Sequence, residues 1–230
     1  RLALEALFSF LLIIKTAKMS RTGDVVIISS PPFPLLLCSN VFWFFRKRDI
    51  VHDIRDLYPQ VFAWKNIFST HSVSYKILFK LTRLSLVNRK CIGATHGISN
   101  LLFEDFKLKN VSTHLNGSSF AAEDSRNEKL NQKDEFTVIY HGTLGKIQSL
   151  SDIERIVQSC QNTNFKFFTD INRLGNSFLH NASNVQLHSR IDEGPLIEEI
   201  KKAHMLLSVR DNSKLTRISN PVKIFDALVL

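Results

Sequence analysis

A chain of 230 residues with 44% hydrophobic and 22% charged residues has an ordinary globular balance, which excludes intrinsic disorder and leaves room for one large domain or two small ones. The 30 Lys and Arg against 21 Asp and Glu give a net charge of +9, which favours anionic partners without choosing among phosphates, anionic lipid and nucleic acid. Cys38, Cys91 and Cys160 are odd in number, far apart and flanked by apolar residues, a pattern expected of buried thiols in a reducing compartment and not of a metal site.

In chain order, Leu7 to Lys15 (LFSFLLIIK) is too short to span a bilayer and follows Glu5, so an amphipathic or buried helix is expected. The β-branched run DVVIISS, Asp24 to Ser30, reads as a buried parallel strand halted by the prolines from Pro31 to Pro34. A helix from Leu35 to the basic end at Arg48 follows, then a strand, DIVHDIRDLYP, from Asp49 to Pro59. Strand, helix and strand with short joins make a βαβ unit, so a parallel sheet with a right-handed crossover is predicted. Ser72 to Lys90 has helical apolar spacing and a basic opposite face, Cys91 to Ser99 reads as a third strand, and Ser99 suits the cap of a further helix.

Ala121 to Glu135 is polar, charged and without apolar period, and reads as a linker. A second α/β series starts at Phe136 to Gly142 and runs through FKFFTD, VQLHS, PLIEEIKKA and MLLSV. The expected architecture is α/β, with two Rossmann-like doubly wound domains: residues 1–120, a linker at 121–135, and residues 136–230. Both ends are abrupt, at Arg1 and Leu230, and predict a piece of a longer protein with both domains incomplete.

Ligands of open parallel sheets bind beyond the carboxyl ends of strands, and four stretches fall there. In HDIRDLYP, Asp53, Arg55 and Asp56 either form a local salt bridge or line a cleft floor, against an acceptor hydroxyl or a phosphate. In YHGTLGK, Gly142, Thr143 and Gly145 make a tight turn ahead of Lys146, which suits phosphate but lacks dinucleotide-binding and P-loop spacing. In SNPVKIFDAL, Pro221 suits a first helical turn, and Lys223 and Asp226 share one face as an i, i+3 pair, either a solvated ion pair or a ligand grip. Arg210 to Arg217 reads as a basic polar loop. His52 and His141 at strand ends are either proton shuttles or structural histidines.

Taken in order, DVVIISSPP, DIRDLYP, HGISNLLFEDF, LNGSSF, VIYHGTLGKIQSL and SNPVKIFDAL resemble the GT-B-fold glycosyltransferases of family 4, in the bacterial branch that builds capsule, O-antigen, lipopolysaccharide and colanic-acid-type polysaccharides. The resemblance implies an acceptor-side domain at 1–120 and a nucleotide-sugar domain at 136–230. It implies hexosyl transfer from a nucleotide-diphosphate donor to a lipid-linked or glycan acceptor, with retention, no cofactor and no metal. Lys146 and Lys223 would stabilise the leaving diphosphate, and Asp226 would stand where the family holds the ribose with glutamate. Gly142, Thr143, Gly145, Ser219 and Asn220 would line the donor, with Asp56 among the catalytic groups and Asp53 and Arg55 beside it on the acceptor side. The chain departs from the family pattern at Asp226, one methylene shorter than glutamate, at Tyr58 and Gln60, where Trp and Glu are usual, and at Ile218.

The basic, aromatic stretch Phe42 to Arg48 and the Ser72 to Lys90 helix suit docking on anionic lipid, at the inner face of the cell membrane, although Phe42 to Arg48 reads equally as a buried helix with a solvated basic end. The alternative is a non-catalytic partner or degenerate copy that binds without turnover. Nucleic acid is not expected as a partner, because the basic residues match no nucleic-acid motif.

Overall fold

The computed structural model describes residues 2–21, 23–46, 49–118, 135–144 and 148–229, the side chains of 2 and 41–46 excepted. The chain divides into two compact units, Arg1–Asn116 with Ser213–Asn220, and Gly117–Asn212 with Pro221–Leu230.

The first unit runs α1 (Leu2–Met19), β1 (Val25–Ser30), α2 (Phe33–Arg46), β2 (Asp49–Ile54), α3 (Gln60–Trp64), α4 (Val73–Leu86), β3 (Lys90–Gly93), α5 (His96–Glu104) and β4 (Val111–Thr113). The four strands are parallel in the order β1-β2-β3-β4, with Ile28 opposite His52, His52 opposite Cys91 and Cys91 opposite Val111. Leu36, Ile54, Leu57, Leu86, Ile98, Leu102 and Phe106 form the main core. Strand β1 is an edge strand with one covered face: Ile28 is buried, whereas Val25 and Ile27 are exposed. The β-branched run therefore marks a half-covered strand and not one buried on both faces. The strand expected to reach Pro59 ends at Ile54, because the Arg55 and Asp56 amides turn back to donate to the Ser30 carbonyl.

Helix α5 begins three residues before the expected Ser99 cap. Thr95 takes that role, its hydroxyl accepting from the Ile98 amide. Ser99 instead packs against Gly93, where a Cβ would stand 2.3 Å from the Ser99 hydroxyl.

The second unit runs β5 (Thr137–His141), α6 (Leu150–Ser159), β6 (Asn164–Phe168), β7 (Val185–His188), α7 (Glu193–Lys201) and β8 (Met205–Leu206). Helix α8 (Lys214–Ile218) belongs to the first unit, where Gly97 lets it approach α5: a Cβ there would lie 2.8 Å from Ile218 Cα. The expected basic loop at Arg210 to Arg217 thus closes as a short helix, capped by Ser213. Helix α9 (Val222–Val229) returns to the second unit.

The second sheet is parallel in the order β7-β6-β5-β8. One face packs Val138, Tyr140, Phe165 and Phe167 against Ile153 and Val157 of α6. The other packs Ile139 and Phe168 against Ile200 of α7, and Lys166 pairs with Glu199 at 2.9 Å. Helices on both faces make this unit doubly wound, and the strand order reverses between β5 and β8, where such sheets open a crevice at their carboxyl ends. The cysteines do not share one environment: Cys91 is buried, Cys38 half-buried and Cys160 exposed.

Candidate functional site

At the carboxyl end of β5 the backbone turns through Gly142, whose φ of +105° lies in the region that L side chains rarely adopt. A Cβ there would also stand 3.1 Å from Lys223 Cε and Nζ, so a side chain at this position would press on the lysine tip. Lys223, on the first turn of α9, lays its ammonium 3.9 Å over the centre of the Tyr140 ring. Tyr140 is itself fixed, its body in the core and its hydroxyl donating to the Thr143 carbonyl at 3.2 Å.

Burial, and then the nearby Arg190 and Arg210 guanidinium groups, push the Lys223 ammonium down to about 8, with Asp226 opposing. His141 lies in the same field. Burial and then Lys223 lower its pKa, Asp226 works the other way, and its Nε2 is buried without a hydrogen-bond partner. Asp226 is buried and accepts a hydrogen bond from the Ser118 hydroxyl at 2.7 Å. The i, i+3 pair thus splits: Lys223 goes to the Tyr140 face and Asp226 to Ser118.

Two adjoining hollows open beside these groups. One of about 340 Å³ is lined by His141, Gly142, Thr143, Phe168, Arg190 and Leu196. The other, of about 630 Å³, shares Thr143 and Arg190 and adds Thr169, Asp170, Asn172 and Arg173. Their size is that of sites for small organic ligands, and their lining mixes an aromatic face, backbone and cations. Asp170 adds a carboxylate paired with Arg173 at 3.1 Å, so the cation common to both hollows is Arg190.

A scan against protein-family models finds no match, and no curated protein matches in sequence. Solved structures do match. One is UDP-GlcNAc 2-epimerase from Neisseria meningitidis bound to UDP-GlcNAc, with a TM-score of 0.50 and 12% identity over 90% of this chain. Another is CalG4, the calicheamicin glycosyltransferase, with a TM-score of 0.43 and 11% identity over 87% of this chain. The chain spans 59% of the length of the first and 56% of the second. The shared feature is the fold: α/β, with two parallel-strand sheets of the Rossmann-like GT-B kind.

Gly145 and Lys146 lie outside the described residues, as do the side chains of Phe42 to Arg46 and the whole of Lys47 and Arg48. Ser219 and Asn220 belong to the first unit, and the Ser219 hydroxyl donates to the Leu215 carbonyl at 2.8 Å. Asp53, at the carboxyl end of β2, accepts from the Ser29 hydroxyl at 2.8 Å and from Arg55 Nε at 2.9 Å. Asp56 is half-buried, and desolvation raises its pKa against the pull of Lys65. His52 is fully buried and both ring nitrogens lack a hydrogen-bond partner, so it is no proton shuttle at a cleft. Burial first, then Arg89, push it down to about 4; the Ser85 backbone opposes this without completing a hydrogen bond of normal geometry.

Sequence reading missed three contributors. Arg190 stands two residues beyond β7, where a cation after a strand was the available signal. The Tyr140 platform and the Ser118 partner of Asp226 had no local signature.

Proposed function

We propose that the chain is part of a retaining, hexosyltransferase-type glycosyltransferase, moving a sugar from a nucleotide-diphosphate donor to a lipid-linked glycan acceptor. The setting is bacterial surface polysaccharide synthesis at the inner face of the cell membrane. The observation that carries this reading is the Lys223 ammonium held over Tyr140 and against Gly142, with Arg190 and Arg210 close enough to lower its pKa. A diphosphate relieves that mutual repulsion, and Gly142 lets the oxygens approach the backbone.

In the reaction the bond from the anomeric carbon to the diphosphate breaks and one to the acceptor hydroxyl forms. Lys223, with Lys146 in the same role, stabilises the charge on the departing diphosphate, so the catalysis is chiefly electrostatic. Asp226 holds the ribose. Asp56, with Asp53 and Arg55, serves the acceptor.

A thermal-shift panel of UDP-, GDP- and dTDP-sugars tests the donor. UDP-GlcNAc leads the panel because the epimerase of like fold was solved with it. At 100 times its Kd, a donor adds about 2.7 kcal/mol of stability; a panel in which none does contradicts the reading. Binding without turnover is the second reading, favoured by the Ser118 hydroxyl already occupying Asp226. Release of nucleoside diphosphate in the presence of acceptor separates the two.

A further inference from the structure

The charge of the chain is carried unevenly. The first unit holds 18 Lys and Arg against 7 Asp and Glu, a net +11, while the second holds 12 against 14, a net −2. Within the first unit, α4 contains no acidic residue. Its inner side is fixed by Thr82, Ser85 and Leu86, which are buried. Its outer side leaves Val73 72%, Ile77 55%, Leu81 42% and Leu84 53% exposed.

At 3.6 residues per turn those four fall within about 80° of one another around the helix axis. Lys76, Lys80 and Arg83, all exposed, lie along one flank of that stripe. Arg83 is steadied there by donating from Nε to the Phe106 carbonyl at 3.1 Å. The basic face expected opposite the apolar one is therefore beside it, and both look outward.

Helix α1 also exposes apolar residues, among them Leu4, Leu7, Phe8 and Leu11, but its lysines, Lys15 and Lys18, sit near one end and not along the stripe. No helix among the described residues is long and apolar enough to cross a membrane. An apolar stripe with cations at its side is the arrangement by which a helix lies in a bilayer interface, apolar residues among the acyl chains and amines at the headgroups.

We propose that α4 is the surface by which the first unit docks on an anionic bilayer, with Ile77, Leu81 and Leu84 inserting and Lys76 and Lys80 at the headgroups. This deepens the membrane-face placement above and rests on it, but it is independent of the donor chemistry.

The test is sedimentation of the 230-residue chain with vesicles of phosphatidylcholine alone and with 30 mole percent (about the anionic share of a cytoplasmic leaflet) phosphatidylglycerol. Binding to the anionic vesicles only is expected. Lys76→Gln with Lys80→Gln lowers the partition coefficient roughly 30-fold, since each amine near such a surface contributes about fivefold. Ile77→Ser with Leu81→Ser lowers it at least about tenfold, while Leu7→Ser with Leu11→Ser on α1 leaves it unchanged. Circular dichroism checks that each variant is folded.

Equal binding to both vesicles, loss only with the α1 variant, or an α4 variant that abolishes self-association without changing vesicle binding overturns the proposal. Donor-induced thermal shift is read on the same variants. Its absence with vesicle binding intact sinks the transferase reading and not this one, and the reverse outcome does the opposite.

Discussion

At the carboxyl end of β2, Asp53 is matched on the spot by Ser29 and Arg55, whereas at the carboxyl end of β5 the half-buried Lys223 ammonium lies in the field of Arg190 and Arg210, with Asp226 opposing them. Both ends belong to parallel strands in α/β units. The first pairs its charges, which holds Asp53 and Arg55 in place for the acceptor role proposed above, and an exposed pair of that kind contributes about 0–1 kcal/mol. The second holds a half-buried ammonium whose pKa is depressed by burial and two guanidinium groups more than Asp226 restores it, a cost that an anionic ligand would reduce. The difference teaches where to look for function in this chain: at the ammonium whose pKa the fold depresses.

The comparison is broken most directly by removing that ammonium. Lys223→Ala is expected to weaken nucleoside-diphosphate binding about 100-fold, the scale of losing one buried member of a charge pair. Asp53→Asn on the matched side is expected to leave that affinity unchanged. Calorimetric titration of both variants reads the result, and equal losses would erase the distinction between the two ends.

A second base with a depressed pKa, His52, sharpens the contrast within the first unit. Its folded pKa, pushed down to about 4, lies below the ordinary value of 6.5, so the unfolded chain takes up the proton first. Stability from this group is therefore full above pH 6.5 and falls as pH drops toward 4, by about 3 kcal/mol in all. Both tryptophans, Trp43 and Trp64, belong to the first unit, so their fluorescence during urea unfolding follows it. His52→Leu is expected to flatten the midpoint between pH 6.5 and 4.5; a variant as acid-sensitive as the parent contradicts the assignment.

Gly142→Ala has a smaller effect, about 1–2 kcal/mol of stability from the positive φ, with Lys223 pushed off the Tyr140 ring and donor affinity reduced. Arg55→Ala is expected to change stability by less than about 1 kcal/mol and donor binding not at all. A large effect of Arg55 on donor binding would place the donor at β2, where the acceptor is proposed.

Much of the fold was legible because its signals are local. The β-branched runs before Pro31 and at Phe136, and the helical spacing between them, determined parallel strands with crossovers. Chain-distant contacts were not legible. The close approach of Ile218 to Gly97 in α5 has no local signature, and the cap falls to Thr95 and not to the expected Ser99. Lys223 and Asp226 were visible as a pair on one face, but their partners, Tyr140 and Ser118, stand 83 and 108 residues away along the chain. On α4, spacing gave the helix, while the stripe of Val73, Ile77, Leu81 and Leu84 faces outward because the opposite side, with Leu86, is the one that enters the core.

The central claim is that a diphosphate sits against Lys223, and its most direct test is the pH dependence of UDP binding by calorimetry at fixed ionic strength. The ammonium titrates at about 8 in the free protein. Affinity is expected to fall about tenfold between pH 7 and pH 9 as that proton is lost, and Lys223→Arg, charged throughout, is expected to bind equally at both. Wild-type affinity that does not change over this range, or an equal fall in the arginine variant, would contradict the account.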